Sequence, residues 1–353
     1  MIMSKNKFGQ VPLSILDLAT IREGYNEADA FVNSKNLIQF AEQHQFHRYW
    51  VAEHHGIAGV ASSATAVLIG YLAGHTKSIR VGSGGIMLPN HAPLIIAEQF
   101  GTLATMYPDR IDLGLGRAPG TDFKTARALR RDVHGAVEEF PNAVLELQDY
   151  FSDYGHDGIV AIPGRGLGVP LYLLGSSTYS AKLAAKLGLP FAFASHFAPD
   201  ELGNALELYR SRFEPSDILA EPYAMVTVNT IIADTDEEAN YLATSGYLSF
   251  LQLTRGAPTP LPKPIDNIDQ VWTEYEERAL KHQLKYAFFV YVCSIPFEPI
   301  TTPCNAPPKT APPSISIIER SALYQIAGDP SGFSASVGVC PTMNVFPVLF
   351  VPA

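Results

Sequence analysis

The chain has 353 residues, of which 47% are apolar and 17% are charged, and its formal net charge is −10. This length can hold one large α/β domain or two ordinary domains, and the apolar fraction excludes a largely disordered chain. The negative charge argues against a general surface for nucleic acids or anionic membranes, although a local basic pocket for one phosphate is compatible with it.

Residues 1–10 have no apolar core of the kind that a signal peptide carries, and no run approaches 18 uninterrupted apolar residues. The sequence therefore predicts a soluble, cytoplasmic protein. The three cysteines, an odd number without paired spacing, support neither a disulfide framework nor a zinc site.

Strand and helix patterns alternate along the chain. Strands are predicted at 11–19, 48–55, 79–88, 110–116, 171–175, 191–195 and 223–233. Helices are predicted at about 27–45, 64–74, 93–106, in one long segment after residue 121, and at 179–187, 199–213 and 236–253. Pro93 suits a first helical turn, where no N–H is needed, and Gly188 suits a helix C-terminal cap.

This alternation predicts parallel strands with right-handed crossovers. Seven β-then-α units, with an eighth expected, favour a closed (β/α)8 TIM-type barrel over an open doubly wound sheet. We predict that the barrel domain covers residues 1–288, with a proline-rich inserted loop at 255–269.

Residues 289–353 differ in character from the rest of the chain. They contain all three cysteines, few charged residues, and prolines at 303, 307, 308, 312 and 313 that forbid a regular helix there. The apolar run 287–292 offers an eighth strand, but no segment offers a closing helix. We therefore predict an irregular tail in place of the usual eighth unit, and interpret it as a frame-shifted C-terminus. The alternative is a genuine but irregular extension.

Glu53, His54 and His55 end the predicted second strand. Since adjacent side chains of a strand point to opposite faces, only one of the two histidines can face the barrel mouth directly. A neutral imidazole can shuttle protons near pH 7. A metal site is a weak alternative, because no third ligand has diagnostic spacing. A second alternative is that both histidines cap backbone groups.

The third predicted strand carries Gly84 and Gly85 near its end, and Arg117 directly follows the fourth. The glycines let a flat ligand lie against bare backbone. Arg117 emerges from a glycine-flanked strand end and can pair bidentately with phosphate or carboxylate, unless it forms an ion pair with a rim acid.

Ser176, Ser177 and Ser180 join the fifth strand to a helix. Hydroxyls and free N–H groups at a helix N-terminus form an anion pocket, although ordinary serine capping is an alternative. None of these glycine and serine runs matches the dinucleotide fingerprint or the Walker sequence.

In order, the motifs AEHH (52–55), GSGGIMLP (82–89), DLGLGR (112–117) and LGSS (174–177) resemble those of the bacterial luciferase-like flavin monooxygenase family, over about residues 10–285. The resemblance implies a (β/α)8 barrel that reacts reduced FMN with O2 to oxidise a small organic substrate. It also implies a separate flavin reductase that delivers the FMN, and a homodimer. A related branch uses the deazaflavin F420 for hydride transfer. An F420- or flavin-dependent oxidoreductase without oxygen activation, and a non-catalytic flavin-binding protein, are therefore alternatives.

The resemblance also assigns roles to individual residues. His54 matches the catalytic histidine that handles protons near the flavin. Gly84 and Gly85 match the pair that meets the isoalloxazine face, often through a non-proline cis peptide. Arg117 matches the arginine that contacts the phosphate. The positions of phosphate-loop residues fall on Ser176, Ser177 and Ser180.

Overall fold

A curled, parallel β-sheet with helices packed around it forms the fold of the computed structural model, which describes residues 11–118, 120–129, 133–285, 287–291 and 348–352. The parallel strands are β1 Ser14–Asp17, β2 Arg48–Val51, β3 Arg80–Met87, β4 Ile111–Gly116, β5 Leu171–Gly175, β6 Phe191–Phe193 and β7 Ala224–Ala233. The helices are α1 Glu27–Gln43, α2 Thr65–Gly74, α3 Pro93–Met106, α4 Phe123–Leu129, α5 Val133–Glu138, α6 Phe140–Phe151, α7 Thr178–Leu187, α8 Leu202–Ser211, α9 Asp236–Thr254 and α10 Glu274–Gln283.

Each strand from β1 to β7 pairs in parallel with the next strand along the chain. Strand β8 (Ala287–Tyr291) adds in parallel to the second half of β7, as predicted for the run 287–292. Strand β9 (Val348–Pro352) runs antiparallel between β7 and β1. Residues 292–347 lie outside the described residues, so the boundary between barrel domain and tail, and a complete (β/α)8 count, stay predictions.

The apolar strands are buried on both faces, which is typical of parallel sheets covered by helices. Tyr49 and Val51 of β2 pack into the layer between sheet and helices. Trp50, between them, points to the interior of the curled sheet, where it packs with Tyr172 and Met225. The alternation of side chains along a strand explains both placements.

The single long helix predicted after residue 121 is wrong, because the structure has α4, α5 and α6 there. Pro141 lies in the first turn of α6. Proline lacks the N–H that a helix interior requires, so a helix can begin at this position but not run through it. Helix α10 was not identified from the sequence. Two predicted helix ends are confirmed: Pro93 begins α3, and Gly188 caps α7 in the left-handed region at φ 60°.

A buried ionic cluster lies at the amino ends of the strands. Asp112 accepts hydrogen bonds from Trp50 Nε1 at 3.1 Å and from Arg80 Nη2 at 2.6 Å. Arg48 Nε lies 3.3 Å from Asp112 Oδ2, the oxygen that Trp50 also contacts. These contacts fix the Trp50 ring below β3, where the floor of the cavity described next is formed.

Candidate active site

A cavity of about 600 Å³ opens at the carboxyl ends of the strands, and residues in or directly after β1 to β7, in α9 and in the loop at 255–269 line it. This volume is in the usual range for small-molecule sites. The seven residues to which the resemblance assigns roles all line this one cavity: His54, Gly84, Gly85, Arg117, Ser176, Ser177 and Ser180. The sequence thus predicted a convergence that the structure confirms, while the roles of these residues stay predictions.

Gly84 and Gly85 form part of the cavity floor, and the peptide bond between them is cis, as the resemblance implies. A Cβ atom on Gly84 would lie 2.6 Å from Leu16 Cδ1 and 3.1 Å from Trp50 Cβ. On Gly85 it would lie 2.7 Å from the carbonyl oxygen of Gly114. The Gly114 backbone therefore excludes a side chain at Gly85, and a side chain at Gly84 would have to displace the end of Leu16. A flat ring can approach the bare backbone of both glycines.

Arg117 and the N-terminus of α7 form one end of the cavity. The guanidinium carbon of Arg117 lies 3.8 Å from the centroid of the Tyr179 ring. No acid among the described residues forms an ion pair with Arg117, so the described part of the structure does not support the alternative of a rim ion pair. Stacking holds the face of the guanidinium and leaves its in-plane N–H groups available to an anion.

Ser177 is the N-cap of α7, because its hydroxyl accepts a hydrogen bond from the Tyr179 N–H at 3.4 Å. The capping alternative is therefore correct for this serine. Ser176 is exposed and Ser180 is buried. A Cβ on Gly175 would lie 2.6 Å from Ser180 Oγ, so the end of β5 approaches the helix as closely as only glycine allows. The positive end of the helix dipole adds to the attraction of Arg117 for an anion.

Glu53 is 1% exposed and accepts four hydrogen bonds at the end of β2. Its Oε1 accepts hydrogen bonds from His55 Nε2 and His91 Nε2, both at 2.8 Å, and from the Asn90 side-chain amide at 3.3 Å. Its Oε2 receives the Met87 N–H at 3.0 Å. Burial by itself raises the pKa of this carboxyl, but the hydrogen bonds from His55, His91 and Met87 outweigh burial and lower the pKa to about 2. The ionised carboxylate of Glu53 thus connects, through hydrogen bonds, the loop that follows β2 with the end of β3 and the loop that follows it.

His54 faces the cavity and His55 binds Glu53, which confirms that only one of the two histidines reaches the mouth. His54 Nδ1 lies 3.0 Å from the carbonyl oxygen of Gly120. A carbonyl only accepts, so Nδ1 carries the proton and Nε2 of the neutral ring is an acceptor. Burial is the main cause that lowers the pKa of His54, although the Gly120 hydrogen bond opposes it.

His196, which sequence reasoning missed, also lines the cavity, three residues after the end of β6. Its Nδ1 atom is buried and has no hydrogen-bond partner among the described residues. Burial, and then the neighbouring His54, lower the pKa of His196 to about 3. The signal was the same as for His54, namely a polar side chain just after a buried strand.

Within the described ranges no group of three or more histidine, cysteine, aspartate or glutamate side chains is placed to hold a metal ion. None of the helices in the described part of the chain has the length and apolar character to cross a bilayer.

The model of the luciferase-like monooxygenase family matches residues 11–287. A protein of Escherichia coli (strain K12) named luciferase-like monooxygenase is 54% identical over 275 residues, which are 78% of this chain and 82% of that protein. The N-acetyl-S-alkylcysteine monooxygenase of Bacillus subtilis (strain 168) is 41% identical over 189 residues, or 52% of this chain and 57% of the relative. The crystal structure of apo-MsnO8 superposes with a TM-score of 0.69 at 32% identity, covering 78% of this chain and 88% of that one.

Proposed function

The chain belongs to the luciferase-like monooxygenase family, and we propose that it uses reduced FMN and O2 to oxidise a small organic substrate. One observation carries the proposal. A bare glycine floor, a stacked arginine beside a helix N-terminus and a histidine of fixed tautomer all line the same cavity.

The residues of the cavity fit FMN. Its flat ring matches the floor at Gly84 and Gly85, and its phosphate matches Arg117 with the N-terminus of α7. No acidic side chain is among the described residues that line the cavity, so nothing there repels a phosphate. The deazaflavin F420 carries a string of carboxylates besides its phosphate. Arg117 is the one charged side chain among these lining residues, which favours FMN over F420.

Reduced FMN, when bound, supplies the electrons that activate O2. The chain itself holds and orients the FMN, excludes water from the cavity and supplies one group that exchanges a proton. Arg117 and the N-cap region of Ser177 hold the phosphate end, and the glycine floor orients the ring. Apolar walls from β1, β7 and α9 keep water from the reacting atoms. His54 takes up or returns a proton at Nε2, because Nδ1 is committed to the Gly120 carbonyl.

A separate flavin reductase is the proposed source of the reduced FMN. The glycine-rich runs of this chain match no dinucleotide fingerprint, which supports delivery of electrons by another protein. The homodimer implied by the resemblance stays a prediction.

Anaerobic titration tests the cofactor assignment, with reduced FMN, reduced riboflavin and reduced F420 as ligands. We expect FMN to bind tightest, and riboflavin, which lacks the phosphate, to bind at least about tenfold more weakly. Equal affinities for FMN and riboflavin, or tighter binding of F420, would contradict the proposal. Turnover is then measured with ¹⁸O2 and a flavin reductase, first on N-acetyl-S-methylcysteine because of the Bacillus relative. A monooxygenase places one ¹⁸O atom in its product.

A further inference from the structure

We infer that His196 binds the organic substrate, and that this substrate is a largely apolar molecule with an oxygen-bearing polar group and no positive charge. The inference rests on the proposed function, since that assigns the flavin to the side of the cavity formed by Gly84, Gly85 and Arg117.

The other side of the cavity, which we term the substrate lobe, is formed by β1, β6, β7, α9 and the loop at 255–269. Its walls are mainly apolar: Leu18, Phe197, Ile231, Phe250, Leu253 and Leu261 line it. An apolar molecule gains free energy by leaving water for such walls. Polar side chains line the substrate lobe as well, but Thr227 and Asn229 already donate hydrogen bonds to backbone carbonyls. The substrate lobe thus selects for apolar surface, and the buried His196 Nδ1, which has no partner among the described residues, is the polar atom there that a ligand can satisfy.

The backbone at His196 is held in place, whereas the ring has no hydrogen-bond partner at Nδ1 among the described residues. The Asn229 side-chain amide donates to the His196 carbonyl at 2.9 Å. The preceding Ser195 hydroxyl donates to the Thr227 carbonyl at 2.6 Å, so β7 fixes the backbone on both sides of the ring's attachment. A buried nitrogen without a partner is costly, and a ligand that supplies the missing hydrogen bond removes that cost.

The electrostatics of the cavity define the charge of the ligand. Burial and the neighbouring His54 lower the pKa of His196 to about 3, so the ring is neutral near pH 7 and presents one donor and one acceptor. No carboxylate is among the described lining residues, so a buried cation would have no counter-charge. In the described part of the chain no carbonyl contact like that of His54 fixes the tautomer of His196, and the ring can therefore donate to an oxygen of the ligand.

Two probes of nearly the same shape test this role: cyclohexanone and methylenecyclohexane, which differ in one oxygen. Their affinities for the full chain saturated with oxidised FMN are measured by headspace partition. We expect His196→Phe to lower the preference for the ketone over the alkene by about 3–10-fold, the value of one hydrogen bond. His196→Gln should retain most of the preference, because an amide also donates. His156→Phe, a histidine substitution at a partly exposed site bound to Asp149, should leave it unchanged.

An unchanged preference in His196→Phe would overturn the inference, as would cyclohexylammonium binding as tightly as cyclohexanone. Imidazole ¹⁵N spectra of the wild-type chain provide a readout that needs no variant. Cyclohexanone should shift the ring nitrogens of His196 toward a single tautomer, and methylenecyclohexane should not; equal shifts would reject the role. Failure of FMN to bind rejects the proposed function, whereas an unchanged preference in FMN-saturated protein rejects only the role of His196.

Discussion

Replacement of Glu53 by glutamine should destabilise the protein by about 3 kcal/mol at pH 7. The pKa of this carboxyl falls from 4.5 to about 2 on folding, and each pKa unit corresponds to about 1.4 kcal/mol. All four partners of Glu53 donate hydrogen bonds, so the amide group of a glutamine would face at least one donor with its own N–H. For a domain of this size the melting temperature should fall by roughly 6–12 °C.

The pH dependence has a definite sign. Because folding lowers the pKa of Glu53, its contribution to stability is complete above about pH 4.5 and is lost as the pH falls toward 2. Thermal melts followed by circular dichroism at pH 7 and through this window should show the loss in the wild type and a flatter curve in Glu53→Gln. Glu276→Gln is the matched control, because the pKa of Glu276 is also about 2 but the carboxyl is on the surface, paired with Arg255. A melting temperature for Glu53→Gln as close to wild type as that of Glu276→Gln would refute the reasoning.

Three further predictions concern the cofactor end, the proton site and closure of the sheet. Arg117→Met should weaken FMN binding by about 10–100-fold in fluorescence titrations and leave riboflavin binding unchanged, whereas Arg165→Met on the surface should change neither. His54→Ala should reduce turnover by about 10²–10⁴-fold with FMN affinity retained, and the acid limb of the wild-type kcat/KM profile should lie below the ordinary histidine pKa, since burial lowers the pKa of His54. Equal turnover would remove His54 from catalysis. Deletion of residues 346–353 removes β9 from between β1 and β7 and should lower the melting temperature; an unaltered melt would contradict that placement of β9.

Much of the fold was predictable because its signals are local. Apolar runs bounded by turns identified the parallel strands, and α3 begins at Pro93 as expected. The errors arose where local sequence signals specify neither the ends of a helix nor the direction of a strand. The alternation alone does not show that the segment 121–151 is divided into α4, α5 and α6; the local signal for the start of α6 was Pro141. Helix α10 is too polar to stand out by its apolar face. The antiparallel β9 has no local signature either, since the direction of a strand is a property of its neighbours.

The candidate site was predictable only in part. The carboxyl ends of parallel strands meet at one rim, and that rule alone brings His54, Gly84 and Arg117 together. The rule does not say which of these polar side chains bind other residues of the protein and which are left available to a ligand. Tyr179, to which the sequence analysis assigned no role, carries the stacking that holds Arg117. His196 was missed although it follows β6, because its importance lies in an absent hydrogen bond that no sequence pattern reveals.

The two imidazoles of the cavity differ chiefly in what their Nδ1 atoms contact. Burial lowers the pKa of both, so both are neutral near pH 7. The Gly120 carbonyl fixes the proton of His54 on Nδ1 and leaves a permanent acceptor at Nε2, which suits a group that must take up a proton. No described residue makes such a contact with His196 Nδ1, so the donor and acceptor of this ring can be exchanged to match a ligand. We therefore propose proton handling for His54, whose tautomer is committed, and substrate binding for His196, whose tautomer is not.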